Sequence, residues 1–441
     1  MRILFQLAFP GYLRMYGSTV RELAGRGHRV LLCYDDCERR DPAVNALEEL
    51  AGVEVVPRLP PAQRRAERTI ERLRATADYL RYLDPRFAGA PYLRERMAKY
   101  VGGWPTRLPY GWWGAGPALR LALALEQAVP SDRGVEQALA AHSPDVVVVT
   151  PLLGRSRRNR RQTDTVKAAR KLGIPVAAGI ASWDHLTTKG VVKARPDATF
   201  VWNDIQRRDA VELHFLPPRS VVVTGAQLFD AWFERGPTGD GVEFRSRVGL
   251  DPGPYVLYAG SSPNIVAAEV EIAFVRRWRE ATGVQALVRP HPYSVEAWAQ
   301  VDLPVAPRVP PELPMTEADD ALYFDSIHHA SAVVGVNTSA LVEALIQRKP
   351  VLTVAADEYR QSQEGTVHFR ELRAAAGPAL RVAWTLDEHA RQLRATLANP
   401  AAAEAGAEAF LRAFVRPNGL ERPATPILAD AIESLARSLP G

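Results

Sequence analysis

Short apolar runs alternate with longer amphipathic stretches along most of this chain. "MRILFQLAF" (1–9) is a continuous apolar run of buried-strand type. "GYLRMYGSTVRELAGRGHRVLLCYD" (11–35) follows as loop, helix and second strand, with Gly27 as the helix stop. "VEVVPRL", from Val53, reads as a third strand. An excursion of helical, Arg-rich and aromatic character then occupies 61 to about 128. The strand pattern returns with "PDVVVVTPLL" (144–153), a helix near 163–172, "IPVAAGIAS" (174–182), "DATFVWN" (197–203) and "SVVVTGAQLFD" (220–230). A stretch rich in Gly, Pro and charge, 234–254, marks a linker. A second series begins with the strand and loop "YVLYAGSS" (255–262) and a helix over 264–281. "VQALVRPHP" (284–292) is a strand ending in a polar loop, and "ALYFD" (321–325) a short strand. "VVGVNTSALVEALIQRKPVLTV" (333–354) reads as strand, tight turn, helix, turn, strand. The tail, 386–436, is Ala- and Leu-rich helix.

Strands alternating with helices predict a parallel α/β sheet, here twice over. The expected organisation is an N-terminal doubly wound domain over 1–235, with a helical insertion at about 61–128. A second doubly wound domain spans 236–385, and helices over 386–441 pack back across both. Such a pair implies a cleft, with ligands at the carboxyl ends of the strands.

Composition changes this picture little. The 441 residues are 47% hydrophobic and 24% charged, ordinary values for a globular protein with ample core. No apolar run approaches membrane-spanning length, and the N-terminus makes a poor signal peptide because Pro10-Gly11 and Arg14 break it. Cys33 and Cys37 suit neither a disulfide framework nor a zinc site, so a reducing cytoplasm is the expected home. The net charge of +5 favours anionic partners. Arginines concentrate in 64–87, which reads as a solvated helix face, and in "GRSRRNRR" (154–161). No helix-turn-helix, zinc site or basic–aromatic interleaving supports nucleic-acid binding.

The candidate chemistry lies at the strand ends of the second series. Gly260-Ser261-Ser262 offers small residues and backbone N–H groups. Arg289 and His291 offer a cation and an imidazole. Asn337-Thr338-Ser339 offers a helix N-terminus with hydroxyls, and together they suit a diphosphate. Glu343 follows Ser339 by about one helical turn, where a carboxylate could accept ribose hydroxyls.

These motifs, "VRPHP" and "VVGVNTSALVEALIQRKPVLTV", resemble the donor half of GT-B nucleotide-sugar enzymes. The nearest branch is that of the CDP-glycerol glycerophosphotransferases and UDP-N-acetylglucosamine 2-epimerases. The likeness covers 255–365 well and the N-terminal half only in layout. It implies a GT-B-like α/β fold, with two Rossmann-like domains facing across a cleft and a C-terminal helical crossover. It also implies diphosphate contacts from Thr338 and Ser339, a ribose contact from Glu343 and a phosphate contact from His291. In the first series, "GIASWDHLTTKG" (179–190) stands where the glycerophosphotransferases have a Trp-His-Gly segment followed by Lys-Gly. Trp183 would be a platform for a sugar ring, Lys189 a phosphate contact, and Asp184, with His185 second, the base. Gly11 would line the cleft after the first strand. Arg155 and Arg158 follow the strand ending at Thr150. They suit a phosphorylated or lipid-linked acceptor, or equally a loop solvated by its own charges.

The expected activity is transfer of a glycosyl or glycerophosphate group from a nucleotide-linked donor to a sugar, polyol or lipid-linked acceptor of the cell envelope or a polysaccharide. A nucleotide-sugar 2-epimerase is the alternative. It is weakened because that family's His-x-Glu-Ala-Gly segment is replaced here by "GIASWDHL". A non-catalytic nucleotide-binding or nucleic-acid-binding protein is the alternative of another class. No cofactor is expected, and metal is not required, since no Asp-x-Asp lies in the cleft segments. The Arg-rich and aromatic segment 61–113 leaves peripheral contact with an anionic membrane open.

Overall fold

The computed structural model describes residues 1–36, 42–153, 157–263, 266–302, 317–399 and 406–438. The chain divides into two compact units. The first holds Met1–Arg40, Val44–Leu228 and Phe414–Gly441, and the second holds Asp41–Ala43 and Phe229–Ala413. The division therefore falls a few residues before the Gly/Pro-rich linker, and the segment that rejoins the first unit starts at Phe414 rather than at 386.

The first unit is built on seven strands: β1 (Arg2–Leu7), β2 (Arg29–Tyr34), β3 (Val53–Val56), β4 (Val146–Thr150), β5 (Val176–Gly179), β6 (Ala198–Val201) and β7 (Val221–Val223). They form one parallel sheet in the order β3-β2-β1-β4-β5-β6-β7. Its helices are α1 (Leu13–Gly25), α2 (Pro42–Glu48), α3 (Glu67–Arg81), α4 (Pro91–Val101), α5 (Ala115–Ala128), α6 (Arg133–His142), α7 (Arg157–Lys171), α8 (His185–Thr188) and α9 (Asp204–His214). Strands β1, β4 and β5 are buried almost throughout because helices cover both sheet faces. One face packs Leu4, Val147, Val149 and Ala178 against Val166 and Leu186. The other packs Ile3, Phe5 and Val148 against Val20, Leu23 and the C-terminal Leu428 and Ile432. That second face explains why the last helix, Ala424–Ser438, belongs to this unit.

The second unit has β8 (Tyr255–Ala259), β9 (Gln285–Arg289), β10 (Ala332–Gly335), β11 (Val351–Val354) and β12 (Leu380–Ala383), parallel in the order β12-β11-β10-β8-β9. Its helices are α10 (Asp230–Glu234), α11 (Gly241–Arg247), α12 (Ala268–Thr282), α13 (Val295–Trp298), α14 (Glu317–His328), α15 (Ala340–Ile346), α16 (Val367–Ala376) and α17 (Leu386–Ala398), followed by Ala407–Phe414. "ALYFD", expected as a strand, lies inside α14. Leu322, Phe324, Asp325, Ser326 and Ile327 are all buried there, so the helix shows no apolar stripe and its period is hidden. Strand β12, "LRVA", is short, carries a partly exposed Arg381, and escapes the sequence pattern.

Strand order reverses between β1 and β4 in the first sheet and between β8 and β10 in the second. At a reversal the crossovers leave in opposite directions, and the strand ends are left open for a ligand.

Candidate functional site

Each unit gathers polar groups at its own reversal. In the second unit, β9, β8 and β10 are neighbours, so their carboxyl-end loops meet. Asn337 N donates to Ser261 Oγ at 3.2 Å, joining the β10 and β8 loops. A Cβ on Gly260 would lie 2.9 Å from His291 N, so only glycine lets the β8 and β9 loops approach this closely. Glu271 on α12 fixes the β8 loop from behind. Its Oε1 accepts from Ser261 N at 2.8 Å and from Tyr258 Oη at 3.0 Å, and burial pushes its carboxyl up to about 7.

The sequence-predicted donor residues Gly260, Ser261, Arg289, His291, Asn337 and Glu343 thus lie around three adjoining loops and the first turn of α15. Ser262 follows, partly exposed, and accepts from Val266 N through its carbonyl. Ser339 is exposed and stands at the N-cap of α15, but its side chain makes no cap bond. Thr338 Oγ1 takes the Ala340 N–H only at 3.4 Å. The α15 terminus is therefore weakly capped from within. Asn337 is buried and its side chain is engaged elsewhere, with Nδ2 donating to Ser362 O and reaching His368 Nε2 at 3.3 Å. It holds the turn to the α16 side, and what it offers at the turn is backbone.

His291 Nδ1 accepts from Tyr293 N at 3.3 Å, which places the ring proton on Nε2. Burial lowers its pKa, so the ring is neutral near pH 7 and Nε2 is a donor. Arg289 is 7% exposed, and its guanidinium lies 4.1 Å from the Tyr323 ring centroid. Burial lowers its pKa, opposed by the charges of Tyr323, Glu343, Asp319 and Asp320. Tyr323 Oη donates to Glu343 Oε2. Burial pushes Glu343 up to about 7, with the Tyr323 bond and Arg289 pulling down and Asp320 pushing up. Tyr323, Glu271 and Asp320 were not singled out from the sequence. Tyr323 was hidden by the misread strand, and Glu271 looks like any helix-surface glutamate.

In the first unit, the loops after β1, β4 and β5 meet. Ala8 N donates to Thr150 O, and Thr150 Oγ1 to Tyr16 Oη at 3.4 Å. A Cβ on Gly179 would be 2.3 Å from Tyr16 Oη. Gly11 sits in the turn Pro10–Tyr12 after β1. Tyr12, in that turn, feels the Asp184 charge, which together with burial holds its phenol protonated. Asp184 Oδ1 accepts from Ser182 Oγ, and Oδ2 from Thr188 Oγ1 at 2.8 Å. His185 is 8% exposed and has no partner at Nδ1 among the described residues. Burial lowers it to about 4. Trp183 is buried, and Lys189 is partly buried at the C-cap of α8. Arg155 lies outside the described residues. Arg158 lies in α7, with its side chain outside them.

The insertion holds this loop. Arg81 on α3 donates to Leu186 O and Lys189 O, Tyr82 Oη to Thr188 O (2.9 Å) and Lys189 O (2.8 Å), and Arg96 on α4 to Thr188 O. Asp78 accepts from Val191 N and Lys193 Nζ, both at 2.8 Å. The stretch 64–87 is therefore not wholly a solvated face, because Arg74 and Arg81 are buried. Arg74 pairs with Glu126 (2.9 Å) and Asp164 (2.8 Å). Asp35, at the end of β2, accepts from Gln6 and Gln162, and burial pushes it up to about 7. Among the described residues, no group of His, Cys, Asp and Glu is placed to hold a metal ion.

No protein-family model matches the chain, and no curated sequence matches it significantly. Solved structures do match over almost the whole length. A UDP-GlcNAc 2-epimerase from Neisseria meningitidis bound to UDP-GlcNAc has a TM-score of 0.55 at 12% identity, covering 98% of this chain and 100% of that one. A glycosyltransferase from Rickettsia africae has a TM-score of 0.55 at 8% identity, covering 99% of each. WaaG, a glycosyltransferase involved in lipopolysaccharide biosynthesis, has a TM-score of 0.50 at 14% identity, covering 98% and 99%. The fold is GT-B-like, an α/β architecture of two Rossmann-like domains.

Proposed function

We propose that the chain is a nucleotide-sugar-type transferase, moving a glycosyl or glycerophosphate group from a nucleoside-diphosphate donor to a hydroxyl acceptor of cell-envelope or polysaccharide type. The observation that carries this reading is the convergence of Ser261, Arg289, His291, Asn337 and Glu343 at three adjacent parallel strand ends. In the proposal the diphosphate meets His291 Nε2–H, the Arg289 cation and the backbone of the Asn337–Ser339 turn. Glu343 accepts the ribose hydroxyls. Asp184 takes the proton of the acceptor hydroxyl. With a glycosyl donor, the acceptor oxygen bonds to the sugar carbon as its bond to the diphosphate oxygen breaks and a nucleoside diphosphate departs. With a glycerophosphate donor, it bonds to the distal phosphorus as the phosphoanhydride breaks and a nucleoside monophosphate departs. In either case the nucleotide leaves into groups already oriented for its charge. His185 is the weaker choice of base, because its ring is buried whereas Asp184 is partly exposed.

A nucleotide-sugar 2-epimerase is the second reading. It is favoured by the neighbour bound to UDP-GlcNAc and disfavoured by "GIASWDHL" at the segment where that family has His-x-Glu-Ala-Gly. Thermal-shift titration with UDP, CDP, GDP, ADP and dTDP tests the donor site. A saturable rise for one nucleotide, lost in Glu343→Ala and His291→Ala, is the expected result. No shift with any of them removes the nucleotide reading. Incubating the matching nucleotide sugar alone then separates the two enzymes, since an epimerase needs no acceptor.

A further inference from the structure

Helix α5 is apolar on two opposite sides. Its inner side, Ala115, Leu119, Ala122 and Leu123, is buried with Glu126. Its outer side carries Pro117, Leu121, Ala124, Leu125 and Ala128, all exposed. At 100° per residue these five fall within an arc of about 100°, the width of a core-facing stripe. Leu121 is 62% exposed and Leu125 51%. Trp113, two residues before the helix, is 87% exposed. A second apolar stripe of this kind is what a helix presents when something other than water covers it.

Charge identifies the cover. Residues 61–130 hold twelve Lys and Arg against six Asp and Glu, an excess of six in a chain whose net charge is +5. The insertion therefore carries the whole positive excess. Burial sharpens it. Glu126 is buried against Arg74 and Lys167, and Asp78 against Lys193, whereas Arg65, Arg68, Arg72, Arg96, Lys99, Arg107 and Arg120 are exposed. Glu95 is the one exposed carboxylate of the segment. Arg65, Arg68 and Arg72 are spaced to share one face of the α3 region, and α3 packs on α5. An apolar helix face with an exposed tryptophan at its end, on a basic scaffold, matches the interfacial zone of a bilayer with anionic headgroups.

We infer that the α3–α5 insertion is a docking surface for an anionic lipid bilayer, with Trp113, Leu121 and Leu125 entering the interface and the arginines meeting the headgroups. No helix among the described residues is long and apolar enough to cross a membrane. The test is co-sedimentation of the full chain with vesicles of two parts phosphatidylcholine to one part phosphatidylglycerol, with pure phosphatidylcholine alongside. Binding to the anionic vesicles, weakened by salt and reduced roughly tenfold or more in Leu121→Glu/Leu125→Glu and in Trp113→Glu, is the expected result. These positions are exposed, so the variants fold, and circular dichroism checks that they do. Equal sedimentation with neutral vesicles, or binding unchanged by the substitutions, overturns the inference. A dimer on light scattering that Leu121→Glu dissociates, with no vesicle binding, also overturns it and assigns the stripe to self-association.

Discussion

The phenol of Tyr323 donates its hydrogen to the carboxyl of Glu343, so the group proposed to receive ribose hydroxyls already holds one protein hydroxyl. Burial pushes Glu343 up to about 7, and the anion is the better acceptor. Nucleoside-diphosphate affinity is therefore expected to rise with pH through about 7 and to level off above it. Tyr323→Phe removes a donor that favours the anion, so the midpoint moves up. Well above the midpoint, that variant binds at least as tightly as the parent, because the phenol no longer competes. Glu343→Gln flattens the profile and weakens binding about tenfold, the size of one charge-assisted hydrogen bond. Calorimetric titration across this range reads all three. A parent profile flat across neutral pH would remove Glu343 from the ribose role.

His291 supplies a second, separable effect. With Nδ1 receiving the Tyr293 N–H, only Nε2–H faces outward as a donor. His291→Ala should cost a diphosphate about 1–2 kcal/mol of binding and a nucleoside almost nothing, since the lost bond is to phosphate. Comparing the nucleotide with its own nucleoside in parent and variant checks this. Equal losses for both would mean that the residue acts through the loop and not on the phosphate.

Arg81 ties α3 to the loop bearing Asp184. Arg81 is 3% exposed, and its guanidinium donates to two carbonyl oxygens, Leu186 O and Lys189 O. Arg81→Met keeps the bulk and strands both acceptors, at about 1–3 kcal/mol each. Hydrogen exchange should then accelerate over 184–191 while β4 stays protected, and nucleotide binding by the second unit should be unaltered. Uniform acceleration over the whole first unit would instead mark Arg81 as part of the general core.

Much of this architecture was legible in the chain. Continuous apolar runs such as Val146–Thr150 announce strands covered on both faces, and the strand-end polar clusters 260–262, 289–291 and 337–343 do meet. What escaped depends on burial that the local pattern conceals. α14 looked like a strand because its apolar residues have no helical stripe. Arg74 and Arg81 looked solvated because their partners, Glu126, Asp164 and two carbonyls of the 186–189 turn, lie far along the sequence. His185, the second candidate for the base, is buried, which its neighbours in the sequence do not announce. Asn337 carries the right turn chemistry, but its side chain is committed to Ser362 and His368, a pairing no short motif contains.

His389 gives the fold an acid limit. It lies on α17, is 0% exposed, and neither ring nitrogen has a partner among the described residues. The Phe274 ring stands 5.6 Å away, with Leu393 in the same core. Burial lowers its pKa to about 4, against about 6.5 in the unfolded chain. Between these values the unfolded state binds the proton and the folded state does not. The neutral ring's contribution is thus fully present above about 6.5 and is lost as pH falls toward 4, by about 3 kcal/mol over the interval. Asp35 and Glu271 act with the opposite sign, since their raised values, each about 7, favour the folded state until pH rises past them. The parent's own profile is therefore a sum, and only a difference isolates the histidine. His389→Leu keeps an apolar side chain and removes the titrating ring. Urea unfolding of parent and variant at matched pH should show the variant gaining steadily on the parent as pH drops from about 6.5 to about 4. Parallel curves would mean that the ring is hydrated or paired in the native state.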